Sequence, residues 1–374
     1  MNQRSQISLI IFSLLLLAGI TLSVLALKGS QSPKDVTKLR EAMFYEVLPD
    51  GRIQCHLCPH HCILCEGQIG RCGVRQNIGG KLYSLVFGKP VSINVDPIEK
   101  KPFYHFLPGQ KTYSIATVGC PLSCRYCQNW DIAQREPEDV ESYQMTPEEV
   151  VLAAQKAGVG IISFTYSEPV AFYEYMLAIA QEAQKQGIRT TMISSGYINP
   201  EPLETLLPFL DAVKIDLKAF DEDFYQEIVG GHLEPVLKAL KIVQQSGTHL
   251  EVVNLLIPGL NDSDEEVRAM AIWIKENLGT DIPLHFSRFH PDYLMKDSPP
   301  TPLETVKAAR QIAREVGLKY VYTGNVVDEE GSTTLCPDND NPLIRRKGYF
   351  VIEDKIGPDG WAPNCPCQIY GVWR

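Results

Sequence analysis

Residues 117–130 read Thr117-Val118-Gly119-Cys120-Pro121-Leu122-Ser123-Cys124-Arg125-Tyr126-Cys127-Gln128-Asn129-Trp130. Three cysteines fall at C-x-x-x-C-x-x-C spacing, directly after an apolar, β-rich run at 113–118. Similar runs recur at 161–166, 189–194, 212–217, 249–257, 283–287 and 319–323, with amphipathic helical patterns between them. Thr146-Pro147-Glu148-Glu149 supplies an N-cap, a proline in the first turn and a glutamate at the third position. Thr301-Pro302-Leu303-Glu304 repeats the device. Gly158, Gly187, Gly247 and Gly317 stand where those helices should stop. Such alternation predicts a parallel sheet with right-handed crossovers. Six or seven units are too few for a closed eight-stranded barrel. Cysteines stand where a dinucleotide-binding sheet would carry G-x-G-x-x-G. The expected fold is α/β, a partial TIM barrel of the (β/α)6 type over residues 113–325.

The spacing of the three thiols has a chemical meaning. Three thiolates within eight residues can each reach a different iron of a [4Fe–4S] cube, which normally takes four cysteines. One iron is then left open, by the logic that separates catalytic from structural zinc. An open iron can be chelated by the amino and carboxylate groups of S-adenosylmethionine. An electron passed into the sulfonium then breaks a C–S bond and releases a 5′-deoxyadenosyl radical, chemistry that belongs to the cofactor. A zinc knuckle or three unrelated thiols are the plainer alternatives. Placement at the C-terminal end of a first strand, where barrel active sites are built, favours the cluster on Cys120, Cys124 and Cys127.

Working outward, the chain has eleven cysteines among 374 residues, in three clusters, and a formal net charge of −10. The charge argues against a generally basic surface and hence against a nucleic-acid partner. Clustering at ligand spacing in a long α/β chain favours metal over disulfides. Cys55, Cys58, Cys62 and Cys72 lie in a Cys-rich module over 41–112, with Cys65, His60 and His61 as alternative ligands. Four soft ligands suit zinc or a second iron–sulfur cluster, and spacing does not choose between them. Cys336, Cys365 and Cys367 sit in a tail over 326–374. They could take a metal with Asp338 or a water, and a metal-free tail is the favoured reading.

Residues 1–28 are read as a transmembrane anchor. Residues 7–27 carry no charged side chain and are long enough to cross a bilayer core of roughly 30 Å. Lys28, Lys34, Lys38 and Arg40 outnumber Arg4 and the α-amino group, which places residues 35–374 in the cytoplasm. Export after signal cleavage is the alternative. Residues 29–40 read as a polar linker.

Several separate motifs carry a family resemblance. They are the Cys120–Cys127 loop with Gln128-Asn129-Trp130, Cys55-His56-Leu57-Cys58-Pro59-His60-His61-Cys62 and Lys101-Pro102-Phe103-Tyr104-His105-Phe106. To these add Tyr166-Ser167-Glu168-Pro169, Asp216-Leu217-Lys218, Phe289-His290-Pro291 and Tyr322-Thr323-Gly324-Asn325. The set resembles the radical SAM superfamily, in its pyruvate formate-lyase-activating-enzyme-like branch, and is closest to the radical SAM component of the AmmeMemoRadiSam system. The resemblance implies that Glu168 contacts the methionine ammonium of S-adenosylmethionine. It also implies that Ser194 and Ser195 meet ribose or carboxylate oxygens, and that Asp216, Lys218 and His290 lie near the same cofactor. The plainer readings are a helix start at Glu168-Pro169, a structural Asp216–Lys218 ion pair and a core histidine at 290. The implied activity is hydrogen abstraction from a substrate, with a protein suggested by the activases. The implied partners are a low-potential donor such as flavodoxin or ferredoxin, and Memo-type and AMMECR-type proteins. The rival functions are a non-catalytic iron–sulfur electron-transfer protein and a zinc-based binding module at the membrane.

Overall fold

The computed structural model describes residues 36–374. The span at 7–27 lies outside the described residues. Among the described residues, no helix is long and apolar enough to cross a membrane.

The central element is an eight-stranded sheet whose order follows the chain. Its strands are β1 (Ser92–Pro97), β2 (Lys111–Ala116), β3 (Ile161–Phe164), β4 (Arg189–Ser194), β5 (Ala212–Asp216), β6 (His249–Leu256), β7 (Leu284–Arg288) and β8 (Val321–Gly324). All neighbours from β2 to β8 pair in parallel. These seven strands correspond to the seven runs read from the sequence, with ends shifted by a residue or two. Strand β1 was not expected. It pairs antiparallel to β2 from Ser92↔Ala116 to Pro97↔Lys111 and closes one edge of the sheet.

The crossovers are α1 (Pro147–Lys156), α2 (Tyr173–Lys185), α3 (Pro200–Leu206), α4 (Leu233–Ser246), α5 (Asp264–Asn277) and α6 (Leu303–Val316). The capping box at α1 forms as expected. The Thr146 hydroxyl accepts from the Glu149 N–H, and the Glu149 carboxylate accepts from the Thr146 N–H. The second box does not form. Thr301 is fully buried, and its hydroxyl donates to the Leu256 carbonyl at 2.6 Å while accepting from the Phe289 N–H at 3.1 Å. Two orphan groups at the ends of β6 and β7 claim it, so Pro302 becomes the N-cap of α6. Gly247 and Gly317 end α4 and α6 in the left-handed region, at φ 78° and 107°.

The cysteine-rich segment folds as two small antiparallel sheets. One joins Tyr45–Val47, Ile53–Cys55 and Ile63–Leu64; the other joins Arg40–Glu41, Lys81–Ser84 and Arg75–Ile78. Its Ile53, Leu57, Leu64 and Val74 share one hydrophobic core with Val118 and Leu122 of the cysteine loop. A buried ion pair fastens it to α2, with Arg75 Nη2 2.9 Å from Glu174 Oε1. The tail forms a third antiparallel sheet of Thr334–Leu335, Pro342–Lys347 and Phe350–Asp354. Here the general preference for metal over disulfides needs correction: Cys336 and Cys365 are joined as a disulfide, and Cys367 Sγ lies 3.7 Å from Cys365 Sγ. Their backbones meet because Cys336 ends a strand against the loop that carries Cys365. Sequence spacing across 29 residues does not reveal that juxtaposition.

Beneath the sheet, Glu251 on β6 is fully buried and heavily bonded. It accepts from the backbone N–H groups of Tyr104 and His105 at 2.8–3.0 Å, and pairs with His285 Nε2 at 2.7 Å and His249 Nε2 at 3.1 Å. Burial alone would raise its pKa, but the two histidines hold it far below the usual carboxylate range. The Lys101–Phe106 motif is thereby locked to the strands.

Candidate active site

One cavity of about 970 Å³ takes residues from the C-terminal end of every parallel strand: Cys120 after β2, Tyr166 after β3, Ser194 on β4, Asp216 on β5, Leu255 on β6, Ser287 on β7 and Gly324 on β8. A flat sheet cannot offer all seven strand ends to one space, so the sheet curves around it, as in a partial barrel. The volume suits a cofactor-sized ligand.

Gly119 makes the cysteine loop possible. It has φ 104°, and a Cβ there would lie 2.6 Å from Val74 Cγ1 and 2.8 Å from the Cys72 carbonyl oxygen. Only glycine lets the chain turn out of β2 hard against the module. The loop is held from the other side by the Ser123 and Arg125 N–H groups, which donate to the Val229 and Ile228 carbonyls. Cys120, Cys124 and Cys127 all line the cavity as free thiols. Burial pushes all three thiols up. They therefore stay protonated unless a cationic centre draws off the protons. Among the described residues, only Cys336, Cys365 and Cys367 bring three His, Cys, Asp or Glu ligand atoms within 4.8 Å of one another. The three loop sulfurs are thus spread wider than one zinc would hold them at about 2.3 Å each. A cluster contacted at three separate irons needs that wider spread. The Leu122 N–H donates to Cys120 Sγ at 3.4 Å, the kind of bond that steadies a cluster thiolate.

All the other residues implied by the resemblance line the same cavity: Glu168, Ser194, Ser195, Asp216, Lys218 and His290. The two serines bond to Glu168 itself. Ser194 Oγ donates to Glu168 Oε1 at 2.6 Å, while the Ser195 N–H and Oγ donate to Oε2 at 2.8 and 2.6 Å. They orient the carboxylate. Glu168 also caps the short 3-10 turn Pro169–Phe172 through the Val170 N–H, so it starts a helical turn and lines the cavity at once.

Asp216 and Lys218 are 3.5 Å apart, and Lys214, two residues earlier on the same face, also pairs with Asp216. Burial alone would raise the Asp216 carboxyl, yet the two ammonium groups hold it below its ordinary value. His290 is exposed at the rim, which removes the core-histidine reading.

Three cavity residues were assigned no role from the sequence. Lys214 was signalled only by the alternation Lys214, Asp216, Lys218 along a central strand, where three charges on one face need a reason. Lys101 Nζ lies 2.6 Å from Asp96 Oδ2 and 4.2 Å from the centre of the Tyr166 ring. Burial pushes this ammonium down to about 8 in spite of Asp96. Tyr166 has φ 65°, uncommon for a residue with a side chain, and its hydroxyl also donates to Asp96. That conformation is fixed in part by Asn129, whose amide donates to the Tyr166 carbonyl at 2.9 Å.

The four module cysteines Cys55, Cys58, Cys62 and Cys72 come together around a second, smaller cavity. The alternatives lie elsewhere. Cys65 is exposed, His60 Nε2 donates to the Pro121 carbonyl at 2.8 Å, and His61 Nδ1 is 3.3 Å from His56 Nδ1.

Comparison with known proteins agrees with this geometry. Residues 114–271 match the radical SAM superfamily. The chain is 46% identical over 318 residues to the uncharacterized protein MJ0808 of Methanocaldococcus jannaschii, covering 85% of this chain and 94% of that protein. It is 27% identical over 210 residues to the pyruvate formate-lyase-activating enzyme of Clostridium pasteurianum, covering 51% of this chain and 84% of that enzyme. It is 22% identical over 221 residues to the pyruvate formate-lyase 1-activating enzyme of Escherichia coli K12, covering 54% and 89% respectively. The chain belongs to the radical SAM superfamily. Membership implies an enzyme that uses S-adenosylmethionine, an iron–sulfur cluster and an electron donor.

Proposed function

We propose that this protein generates a 5′-deoxyadenosyl radical from S-adenosylmethionine at Cys120, Cys124 and Cys127, and uses it to abstract hydrogen from a protein substrate. The observation that carries the reading is the convergence of three free, widely spaced thiols and the Glu168 carboxylate on one cavity at the C-terminal ends of seven parallel strands. When bound, a reduced [4Fe–4S] cluster would supply the electron that cleaves the sulfonium C–S bond.

The chain's own residues hold and orient. Glu168, fixed by Ser194 and Ser195, presents a carboxylate to the methionine ammonium, a charge-assisted bond. Lys218 and Lys214 flank Asp216 and give the cavity wall a net positive edge suited to the methionine carboxylate. The surrounding strands exclude water from a reactive radical. A protein substrate is suggested by the relatives that activate pyruvate formate-lyase, whose names describe action on another enzyme. The motif set quoted above supports the narrower AmmeMemoRadiSam reading, with its Memo-type and AMMECR-type partners. Flavodoxin or ferredoxin would serve as donor. The apolar span at 7–27 and its flanking lysines support a single-pass anchor with the barrel in the cytoplasm.

The test is anaerobic. Protein reduced with dithionite and given S-adenosylmethionine should release 5′-deoxyadenosine, measured by mass spectrometry. With a partner protein deuterated at carbon, the label should appear at C5′ of the released 5′-deoxyadenosine. Reduction and reoxidation without any cleavage would support the electron-transfer alternative instead.

A further inference from the structure

The four-cysteine cavity of the N-terminal module decides between two metals that spacing left open. We infer that Cys55, Cys58, Cys62 and Cys72 hold a second iron–sulfur cluster of the [4Fe–4S] type, and not zinc. This goes beyond the radical function and does not depend on it.

Size is the first argument. A zinc ion bound by four thiolates draws its sulfurs to about 2.3 Å from the metal, hence within about 4 Å of one another, with no free volume between. Here no three of the four sulfurs lie within 4.8 Å of one another, since among the described residues only the tail cysteines do so. The four side chains line one small cavity together with Leu57, Leu64 and Arg75. A cubane contacted at four separate irons needs thiolates held apart in this way. Yet the four remain free thiols, with no pair joined as a disulfide.

Charge is the second and independent argument. Arg75 lines the same cavity at 1% exposure, and its Nε and Nη1 have no hydrogen-bond partner. A buried guanidinium with two unmet donors is costly, and Glu174 satisfies only Nη2. Any metal centre held by thiolates, zinc or cluster, is anionic and would meet those donors, whereas neutral thiols would not. Charge therefore argues for a metal, and the spread of the sulfurs chooses which. The backbone is arranged to the same end. The Arg71 N–H donates to Cys62 Sγ at 3.5 Å, and the His60 and Val74 N–H groups face the Cys58 and Cys72 sulfurs.

The site also abuts the radical loop. Pro121, between Cys120 and Leu122, lines the small cavity, while Cys120 and Leu122 line the large one. Pro121 thus stands between the residues of the two cavities.

Metal and sulfide analysis of the full chain, purified and reconstituted without oxygen, tests the inference. The expected content is about eight irons and eight sulfides per chain. The variant Cys120→Ala/Cys124→Ala/Cys127→Ala should keep about four irons and a reduced-state EPR signal that does not respond to S-adenosylmethionine. Conversely, Cys58→Ala/Cys72→Ala should keep about four irons and the responsive signal. If that second variant fails to fold, the first still reads the module cluster alone. About one zinc and four irons per wild-type chain, or a folded first variant without iron, would overturn the assignment. Neither outcome touches the radical reading, whose signal is the one that responds to S-adenosylmethionine.

Discussion

Replacing Glu168 by glutamine isolates the residue on which cofactor orientation rests. The carboxylate takes four donors: Ser194 Oγ at 2.6 Å and the Val170 N–H at 3.2 Å on Oε1, and the Ser195 N–H and Oγ at 2.8 and 2.6 Å on Oε2. Glutamine turns one oxygen into a donor. The Oε2 side resists the change, because the Ser195 N–H cannot rotate away. The new amide would therefore occupy the Oε1 position, where Ser194 Oγ can turn but the Val170 N–H cannot. One acceptor is lost, and with it the negative charge that meets the methionine ammonium. Losing a bond to a charged group costs about 1.5–3 kcal/mol, or roughly a ten- to hundredfold weakening. The dissociation constant for S-adenosylmethionine, titrated by the change in the reduced cluster's EPR spectrum, should rise by that factor with iron content unchanged. Ser194→Ala and Ser195→Ala, which only loosen the carboxylate, should each cost about 1 kcal/mol, or roughly fivefold. An unaltered dissociation constant in Glu168→Gln would refute the placement of the ammonium at this carboxylate.

Other expectations concern the frame. Glu251→Gln leaves His249, His285 and two backbone N–H groups around a neutral amide. It should destabilise the protein by about 3–5 kcal/mol in chemical unfolding at neutral pH, with the cluster loop sequence untouched. Stability should also fall with acid. Burial pushes the His105 imidazole down to about 3 from 6.5, so the unfolded chain binds the extra proton first. The stabilisation is present above pH 6.5 and is lost, by about 1.4 kcal/mol per pH unit, as pH drops through 6.5 toward 3. Denaturant midpoints across that range should fall as the pH is lowered, and His105→Gln should flatten the slope. At the N-terminus, a chain starting at Gln31 should cleave S-adenosylmethionine as the full chain does, while the full chain sediments with membranes. A mature N-terminus near Lys28 in mass spectra would favour export instead.

Much of this arrangement was legible before any coordinates, for reasons tied to particular residues. The seven parallel strands are largely buried on both faces and rich in apolar and β-branched residues, which sets them apart from the helical patterns between them. Site residues at their C-terminal ends were legible because chemistry-bearing side chains such as Glu168 and Asp216 interrupt those runs abruptly. Strand β1 escaped because its alternation, Ile93 and Val95 against Ser92, Asn94 and Asp96, is short, half-exposed and closes on Pro97. The capping reading failed at Thr301 because burial outbid the helix for the hydroxyl. Lys101 was invisible as a site residue because a lone lysine reads as solvent-facing, and Lys214 was marked only by its alternation with Asp216 and Lys218. The disulfide joins cysteines whose proximity is set by a hairpin and a loop far apart in the chain.

The central claim is that Cys120, Cys124 and Cys127 hold the catalytic cluster, and one measurement addresses it most directly. Reduced wild-type protein and Cys124→Ala, handled identically without oxygen, are each mixed with S-adenosylmethionine and assayed for 5′-deoxyadenosine alongside the EPR spectrum. The expected result is release of 5′-deoxyadenosine and a cofactor-induced spectral change in the wild type, with both absent in Cys124→Ala. A folded Cys124→Ala that still cleaves S-adenosylmethionine at the wild-type rate would contradict it.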